Sequence, residues 1–310
     1  KIPIIVRSKY CVWKSDILSE CKFDVGGYTI INGNEKVMIT QEKIVPNMIL
    51  VHKNSKNNSK YSHVGEVRSS EEKTYGFTKT ISVKITNKPR LSDNKLFISI
   101  PRMKQDIPVF ILFKALGALT DKEIIYHIID NDGSETDKMM ISIIRASLES
   151  VSEYTTSEQA IEYMIKYINH VNASFSPDIK IKYCKDILRR DYLPHLGNSF
   201  LDKIQFTGLI INKLLKVAMG IQAPCNRDSY ANKRLEPAGN LMANLTFQCM
   251  NRILKDIKTY VTKEVNSGIW SINQNYDDIV NDINIHKIIK SNYIESVLKS
   301  ALATGNWGMK

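Results

Sequence analysis

The sequence predicts an α+β fold in which strands come first and helices follow. Between residues 28 and 100, short runs of β-branched and aromatic residues alternate with polar ones, as half-buried strands do. From residue 120 onward, apolar residues recur with the 3.6-residue period of helices that bury one face. With 310 residues, the chain is long enough for about two domains and a sizeable core.

A β-hairpin is predicted at residues 26–42. Residues 28–31 are good strand formers, and Asn32 and Gly33 tolerate the positive φ angles of a tight type I′ turn. Residues 37–40 are predicted to form the returning strand. Polar side chains lie around that strand, namely Glu35, Lys36, Thr40 and Gln41. A hairpin with a purely structural role would not need them. The alternative is a solvated hairpin edge whose lysine opposes aggregation.

The remaining elements follow from periodicity and from helix-end signals. Pro108 suits the first turn of a helix that ends at Gly117, and Thr120 with Glu123 fits a capping box. Further strands are predicted at residues 2–6, 48–52, 63–68, 77–85 and 96–100, the last three as a small antiparallel sheet. Further helices are predicted at residues 138–151, 157–170, 177–190, 200–219, 232–261 and 285–303.

The composition favours a polyanionic partner and an intracellular setting. A net charge of +11 and a pI near 9.2 are typical of chains that meet nucleic acid, although a lysine-rich proteome would give a similar balance. The five cysteines form no CxxC pair, so we expect reduced, mostly buried thiols and no zinc ribbon. No apolar run reaches the roughly 20 residues that span a bilayer.

The sequence predicts no catalytic and no metal-binding residue. It contains no Walker loop, no HExxH pair and no nucleophile elbow. The acidic run at residues 130–134 lacks a glycine at the sixth position of a calcium loop, so a polar turn between helices is expected. Nothing in the sequence resembles the clustered aspartates that would hold catalytic magnesium.

Several long motifs are similar to those of one family. They lie at residues 1–11 (KIPIIVRSKYC), 26–42 (GGYTIINGNEKVMITQE), 62–70 (SHVGEVRSS), 101–121 (PRMKQDIPVFILFKALGALTD), 184–196 (CKDILRRDYLPHL), 226–242 (NRDSYANKRLEPAGNLM) and 301–308 (ALATGNWG). In this order they resemble the second-largest subunit of multisubunit DNA-directed RNA polymerases. The resemblance is nearest to the polymerase II type and to the enzymes of large DNA viruses, and NRDSYANKR resembles the viral form.

The resemblance implies a mixed strand and helix protrusion domain with an inserted lobe domain, which consists of a small antiparallel sheet plus helices. The implied domains are residues 1–61 (first part of the protrusion), 62–222 (lobe), 223–276 (return of the protrusion) and 277–310 (start of the fork). In the family these pieces form one wall of the cleft that takes up template DNA. The chain is therefore interpreted as a piece of a longer polypeptide.

The resemblance also implies candidate nucleic-acid-binding residues. The polar end of the hairpin lies close to the RNA–DNA hybrid in the family, which implies such a place for Glu35, Lys36 and Gln41. In related bacterial enzymes, the acid and the first basic residue of the later motif border a pocket for a non-template base. The matching residues here are Asp228, Lys233 and Arg234. The alternative for the last two is a surface pair at a helix start, where cations oppose the helix dipole.

Four other positions in these motifs, and Arg7 and Arg68, also have expected roles. Ser229 and Ala231 stand where the family often has His and Gly, and Ala231 predicts a backbone at negative φ. Arg102 and Lys104 face DNA from the lobe or, alternatively, belong to a solvated turn. The arginines expected to serve structural ion pairs are Arg7 and Arg68.

For the whole enzyme, the resemblance implies nucleotidyltransferase activity that depends on Mg²⁺ held by other chains, with Zn²⁺ elsewhere and no cofactor in this segment. The implied partners are template DNA, the RNA–DNA hybrid, the largest subunit and other polymerase subunits, and initiation factors on the lobe and protrusion, without a membrane. The implied location is a viral factory or virion in the cytoplasm for a viral enzyme and the nucleus for a cellular one. The alternative is a free-standing basic nucleic-acid-binding module or scaffold derived from such a subunit.

Overall fold

The structure is a computed structural model that describes residues 1–14, 21, 23–54, 59–71, 78–130, 133–169, 176–266, 285–290 and 292–308. Its fold is α+β, as predicted. The strands are β1 (Tyr28–Ile31), β2 (Asn34–Val37), β3 (Gln41–Ile44), β4 (Ile49–Lys53), β5 (Tyr61–Ser69), β6 (Lys79–Thr86), β7 (Leu96–Ser99), β8 (Ile107–Pro108) and β9 (Lys233–Glu236). The α-helices are α1 (Val109–Leu116), α2 (Asp121–Ile128), α3 (Glu135–Glu149), α4 (Ser157–Ile165), α5 (Pro177–Arg190), α6 (Phe200–Ala218), α7 (Ala238–Asn266), α8 (Ile285–Ile288) and α9 (Tyr293–Thr304).

The chain divides into two compact units, which comprise residues 1–43 with 235–310 and residues 44–234. The domains implied by the family resemblance, with boundaries at 61, 222 and 276, stay a prediction.

An antiparallel meander forms the sheet of the 44–234 unit, in the order β4-β5-β6-β7-β8. This confirms the predicted small antiparallel sheet and extends it by one strand on each side. Residues of β6 alternate between buried and partly exposed, and Ile81, Val83 and Ile85 are fully buried. One face of the sheet therefore carries the apolar residues that helices cover.

Helix α1 lies at the centre of this unit, since all eight of its residues are buried. It packs against α3, α4 and α6. It begins after Pro108 and ends at Gly117, whose φ of 116° is the left-handed conformation of a helix C-cap. Even Lys114 is buried, and its Nζ donates to the carbonyl of Tyr154 at 2.7 Å. The predicted helix with its glycine cap is confirmed.

The other unit, residues 1–43 with 235–310, has a smaller core made by α7 and α9. Leu245 and Cys249 of α7 are buried against Leu298 and Ala301 of α9. Helix α9 also packs against β1 and β2, and it ends at Gly305 with a φ of 72°. The glycine stop predicted for this last helix is confirmed, but the single helix predicted at residues 285–303 is wrong, because residues 289–290 belong to neither α8 nor α9.

A predicted strand near the start of the chain and the predicted start of the longest helix are wrong. Residues 2–6 form no strand. The helix predicted to begin at residue 232 begins at Ala238 instead, and residues 233–236 form β9. The cause is Pro237, which disfavours the helical conformation of the residue before it. Leu235, which the helical period placed on the apolar face, is 68% exposed.

The cysteines and the polar turn are partly as predicted. All five cysteines are free, but only Cys184 and Cys249 are buried, so the expectation of mostly buried thiols is too strong. Burial raises the pKa of the Cys184 thiol to about 12.

Within the described ranges, no helix combines the length and apolar character that crossing a bilayer requires. Residues 131–132 of the acidic run lie outside the described residues.

Candidate nucleic-acid interface

The hairpin has the predicted turn but a different returning strand. Asn32 and Gly33 have φ angles of 51° and 79°, both positive as a type I′ turn requires. Because this turn has two residues, pairing resumes at once, with Ile31 opposite Asn34. The returning strand is therefore residues 34–37, and the prediction of residues 37–40 is wrong.

This register sends Glu35 and Lys36 to opposite faces of the hairpin. Lys36 lies opposite Thr29, which is 1% exposed, whereas Glu35 lies opposite Ile30, which is 50% exposed. Successive residues of a strand alternate between faces, so Lys36 is on the packed side and only partly exposed. Glu35 belongs to the exposed side. The two candidates therefore do not form one polar surface.

Gln41 is separate from the hairpin. It opens β3, which forms a two-stranded sheet with β9, and its side chain is exposed. The neighbouring Lys43 donates to Glu236 at 3.0 Å, and Asn244 donates to the same carboxylate oxygen. Gln41 is thus placed on an ordered strand, not at the end of the hairpin.

Residues 226–232 form an ordered polar loop, which we call the 226–232 loop. The side chain of Asn232 donates to the carbonyl of Asn226 at 2.6 Å, which closes the loop. At its start, the amide of Asp228 donates to the side-chain oxygen of Asn226 at 2.9 Å. A single 3-10 turn, Tyr230–Asn232, follows, so Ala231 has the negative φ that the sequence predicted.

Lys233 and Arg234 follow this loop in strand β9. The interpretation of these two residues as a surface pair at a helix start is therefore wrong, because the helix begins after Pro237. Arg234 is exposed, and its Nη1 donates to the carbonyls of Ala231 and Lys233. This guanidinium is held beside the loop by backbone groups.

The loop is attached to the sheet through a charge network that the sequence did not reveal. Arg227 Nη2 donates to Glu66 Oε2 at 2.8 Å, and Arg68 Nε donates to the other oxygen of the same carboxylate at 3.1 Å. Glu66 is largely buried, with its side chain 14% exposed. The structural ion pair expected for Arg68 is confirmed, whereas Arg7 donates to the carbonyl of Cys21. A partner 161 residues away leaves no local sequence signal.

Arg102 is engaged within the protein. Its Nε lies 2.8 Å from Asp191 Oδ2, and Nη1 lies 3.3 Å from the hydroxyl of Tyr183. The hydrogen bond with Tyr183 and the charge of Asp191 raise the pKa of the guanidinium against the opposing effect of burial. Lys79 also pairs with Asp191, at 2.9 Å. Lys104 is exposed, and its amide is bonded to the carbonyl of Tyr167 at 2.7 Å.

The candidate residues thus fall into four places: the hairpin, strand β3, the 226–232 loop with β9, and the turn at residues 102–104. In the described part of the chain, no three His, Cys, Asp or Glu side chains are grouped closely enough to hold a metal ion. These residues define a class of protein, that of a basic α+β segment that presents ordered polar loops. Such an arrangement is suited to contact with a partner.

Comparison with known proteins specifies this class. The family described as "RNA polymerase Rpb2, domain 2" matches residues 45–236. The chain is 36% identical over 321 residues to "DNA-directed RNA polymerase II subunit 2" of Arabidopsis thaliana, covering 99% of this chain and 26% of the relative. It is 34% identical over 317 residues to "DNA-directed RNA polymerase II subunit RPB2" of Eremothecium gossypii, with coverage of 99% and 24%.

An archaeal relative also matches this chain along nearly its whole length. "DNA-directed RNA polymerase subunit Rpo2N" of Methanothermobacter thermautotrophicus (strain Winter) is 29% identical over 328 residues, covering 99% of this chain and 60% of the relative. The chain belongs to the RNA polymerase Rpb2 family, that of the second-largest subunit. It spans about a quarter of the length of the eukaryotic relatives. The nearness to viral enzymes stays a prediction.

Proposed function

We propose that this chain is the part of a DNA-directed RNA polymerase second-largest subunit that forms one wall of the DNA cleft, beside the template and the RNA–DNA hybrid. The observation that carries the proposal is the alignment of 99% of the chain with RNA polymerase II subunits at 34–36% identity. The net charge of +11 also supports a polyanionic partner.

In this proposal, the chain serves nucleotidyl transfer without supplying the reaction centre. Its partners are the largest subunit and the other polymerase subunits, which hold the Mg²⁺, while initiation factors dock on the lobe and protrusion. Lys36 contacts a phosphate as a point charge, whereas Asp228 accepts from a base edge and Lys233 donates to one. The similarity to cellular polymerase II subunits favours action in the nucleus over a viral site in the cytoplasm.

The experiment measures the lifetime of transcription complexes formed by the whole enzyme, with variants made in the full-length subunit. We expect Lys36→Ala or Lys233→Ala to weaken the complex by roughly 0.5–2 kcal/mol, the size of one charge-assisted contact. At moderate salt this corresponds to a lifetime shortened by roughly two- to thirty-fold. Lys122→Ala, which removes an exposed lysine of α2, is the matched control. If Lys36→Ala and Lys233→Ala both left the lifetime unchanged, the proposed contacts of these two lysines would be rejected.

A further inference from the structure

Tyr230, in the 226–232 loop, is an aromatic residue that the proposed contacts do not use. Its side chain is 80% exposed, more than any other aromatic residue described between residues 44 and 234. Two other tyrosines of this unit are engaged within it: Tyr192 is fully buried, and the hydroxyl of Tyr61 donates to Asp106. An aromatic ring left in water contributes little to the stability of its own unit, because the free energy of burying it is not gained.

The backbone that carries this ring is ordered on both sides. The Asn232–Asn226 hydrogen bond closes the loop, and the amide of Asn232 donates to the carbonyl of Ser229 at 2.9 Å. The carbonyl of Asn232 accepts from the amide of Val45 at 3.0 Å, and the Arg227–Glu66 pair holds the start of the loop. Binding through this ring therefore does not carry the additional entropy cost of ordering the loop backbone.

The charges around Tyr230 specify the kind of flat partner. Residues 226–234 contain three cations and one acid. One of these cations, Arg227, forms an ion pair with Glu66, whereas Arg234 is exposed near the start of β9. Proteins that bind single-stranded nucleic acid combine cations along the backbone with aromatic rings on which bases stack. A protein partner would meet the same ring without requiring the cations.

We propose that Tyr230 is a stacking platform for a base of an unpaired nucleic-acid strand, with Arg234 beside it to meet the strand's phosphates. This inference rests on the proposed function, since it needs the chain to border nucleic acid. It assigns the contact to the face of an aromatic ring, so it requires no particular base. The hydroxyl of Tyr230 is dispensable.

The experiment uses the assembled polymerase with a full-length subunit and scaffolds that carry 2-aminopurine at successive unpaired positions. The fluorescence of this base falls when it stacks. We expect quenching by the wild-type enzyme at one position, and its retention in Tyr230→Phe, which keeps the ring. In Tyr230→Leu, which keeps apolar bulk without a ring face, we expect the quenching to be lost and the complex lifetime to fall about five-fold or more. Tyr126→Leu, at another exposed tyrosine (64%), should match wild type.

Three outcomes separate this inference from the proposed function. Equal quenching by wild type and Tyr230→Leu at every position overturns the stacking platform while complexes still form. Equal loss in the Phe and Leu variants also overturns it, because the hydroxyl would then be responsible. Wild-type enzyme that forms no salt-sensitive complex with the scaffold instead rejects the proposed function itself.

Discussion

The ammonium group of Lys203 lies 2.8 Å from the carbonyl oxygen of Leu188, in the interior of the 44–234 unit. The same nitrogen donates to the carbonyl of Arg189 at 2.7 Å, and the side chain of Lys203 is fully buried. The last carbonyls of a helix have no partner within it, so α6 provides a donor for the end of α5.

Lys203→Met should therefore destabilise the chain although it removes a buried charge. The substitution leaves the buried carbonyl of Leu188 and the partly buried carbonyl of Arg189 without this donor, at a cost of about 1–3 kcal/mol. Chemical unfolding followed by circular dichroism measures the loss. Lys185→Met, at an exposed position of the same helix α5, is the control and should have little effect. A Lys203 variant as stable as the control would contradict the role of this amine.

The same lysine predicts a dependence of stability on pH. Burial lowers the pKa of Lys203 from 10.5 to about 8 in the folded chain. Between these values the unfolded chain binds more protons, so the contribution of Lys203 to the free energy of unfolding rises with pH from about 8 to 10.5. Unfolding of wild type and Lys203→Met at pH 7.5 and pH 10 tests this. The difference in stability between the two should be larger at pH 10, and parallel pH profiles would refute it.

Local signals in the sequence predicted most of these elements. The Asn32-Gly33 turn, the Pro108 and Gly117 boundaries of α1 and the start of α5 at Pro177 all depend on residues within a few positions. The misplaced elements depend on distant partners. Strand β9 pairs with β3, about 190 positions earlier in the chain, and neither strand has a strong pattern of its own. Periodicity therefore extended the following helix backward through Leu235.

The candidate site was also predictable only where it depends on local sequence. Motif resemblance selected Asp228, Lys233 and Arg234, and side-chain chemistry suggested what each can bind. The faces to which Glu35 and Lys36 point depend on the hairpin register, which a two-residue turn fixes. The charge pairs that hold the 226–232 loop and Arg102 cross 161 and 89 positions of the chain, so only the fold reveals them.

Close packing of α2 against α6 makes Gly208 sensitive to substitution. A Cβ at this position would overlap the carbonyl oxygen of His127, which is backbone and cannot rotate away. Gly208→Ala should therefore destabilise the chain by about 3 kcal/mol or more, since the two helices must separate. Gly239→Ala is the control, because a Cβ there meets nothing within 4 Å. Near the start of α7, alanine should be neutral or stabilising by up to about 1 kcal/mol. Equal thermal midpoints of the two variants would contradict this packing.

Asp106 should make the sheet sensitive to acid. Its carboxylate accepts from the hydroxyl of Tyr61 at 2.7 Å and from Lys84 Nζ at 2.9 Å. Burial alone would raise the pKa of Asp106, but these donors outweigh it and hold the pKa below its usual 3.8. The stability from this carboxylate is therefore fully present above about pH 4 and is lost as pH falls through the lowered pKa.

Asp106→Asn tests this contribution. The variant should lose about 1–3 kcal/mol at pH 7, where wild type has the charge-assisted hydrogen bonds, and progressively less as the pH falls below 4. Denaturant unfolding across this range measures the difference. Glu162→Gln, at an exposed site of α4, should lose little at any pH. A constant loss from pH 7 to pH 2.5 in Asp106→Asn would show that the carboxylate charge is not responsible.

Arg227 should order the 226–232 loop, because it joins the loop to the largely buried Glu66 on the sheet. Arg227→Gln removes the charge and leaves Glu66 with Arg68 as its remaining cation in this network. Since Arg227 is 40% exposed, we expect a local cost of about 1 kcal/mol, which corresponds to roughly five-fold faster amide exchange. Hydrogen–deuterium exchange of a peptide spanning residues 226–232 measures it. Arg145→Gln, which breaks the exposed pair with Glu149 on α3, should leave this peptide unchanged. If Arg227→Gln also leaves the exchange unchanged, the hydrogen bonds of Asn226 and Asn232 hold the loop without the charge network.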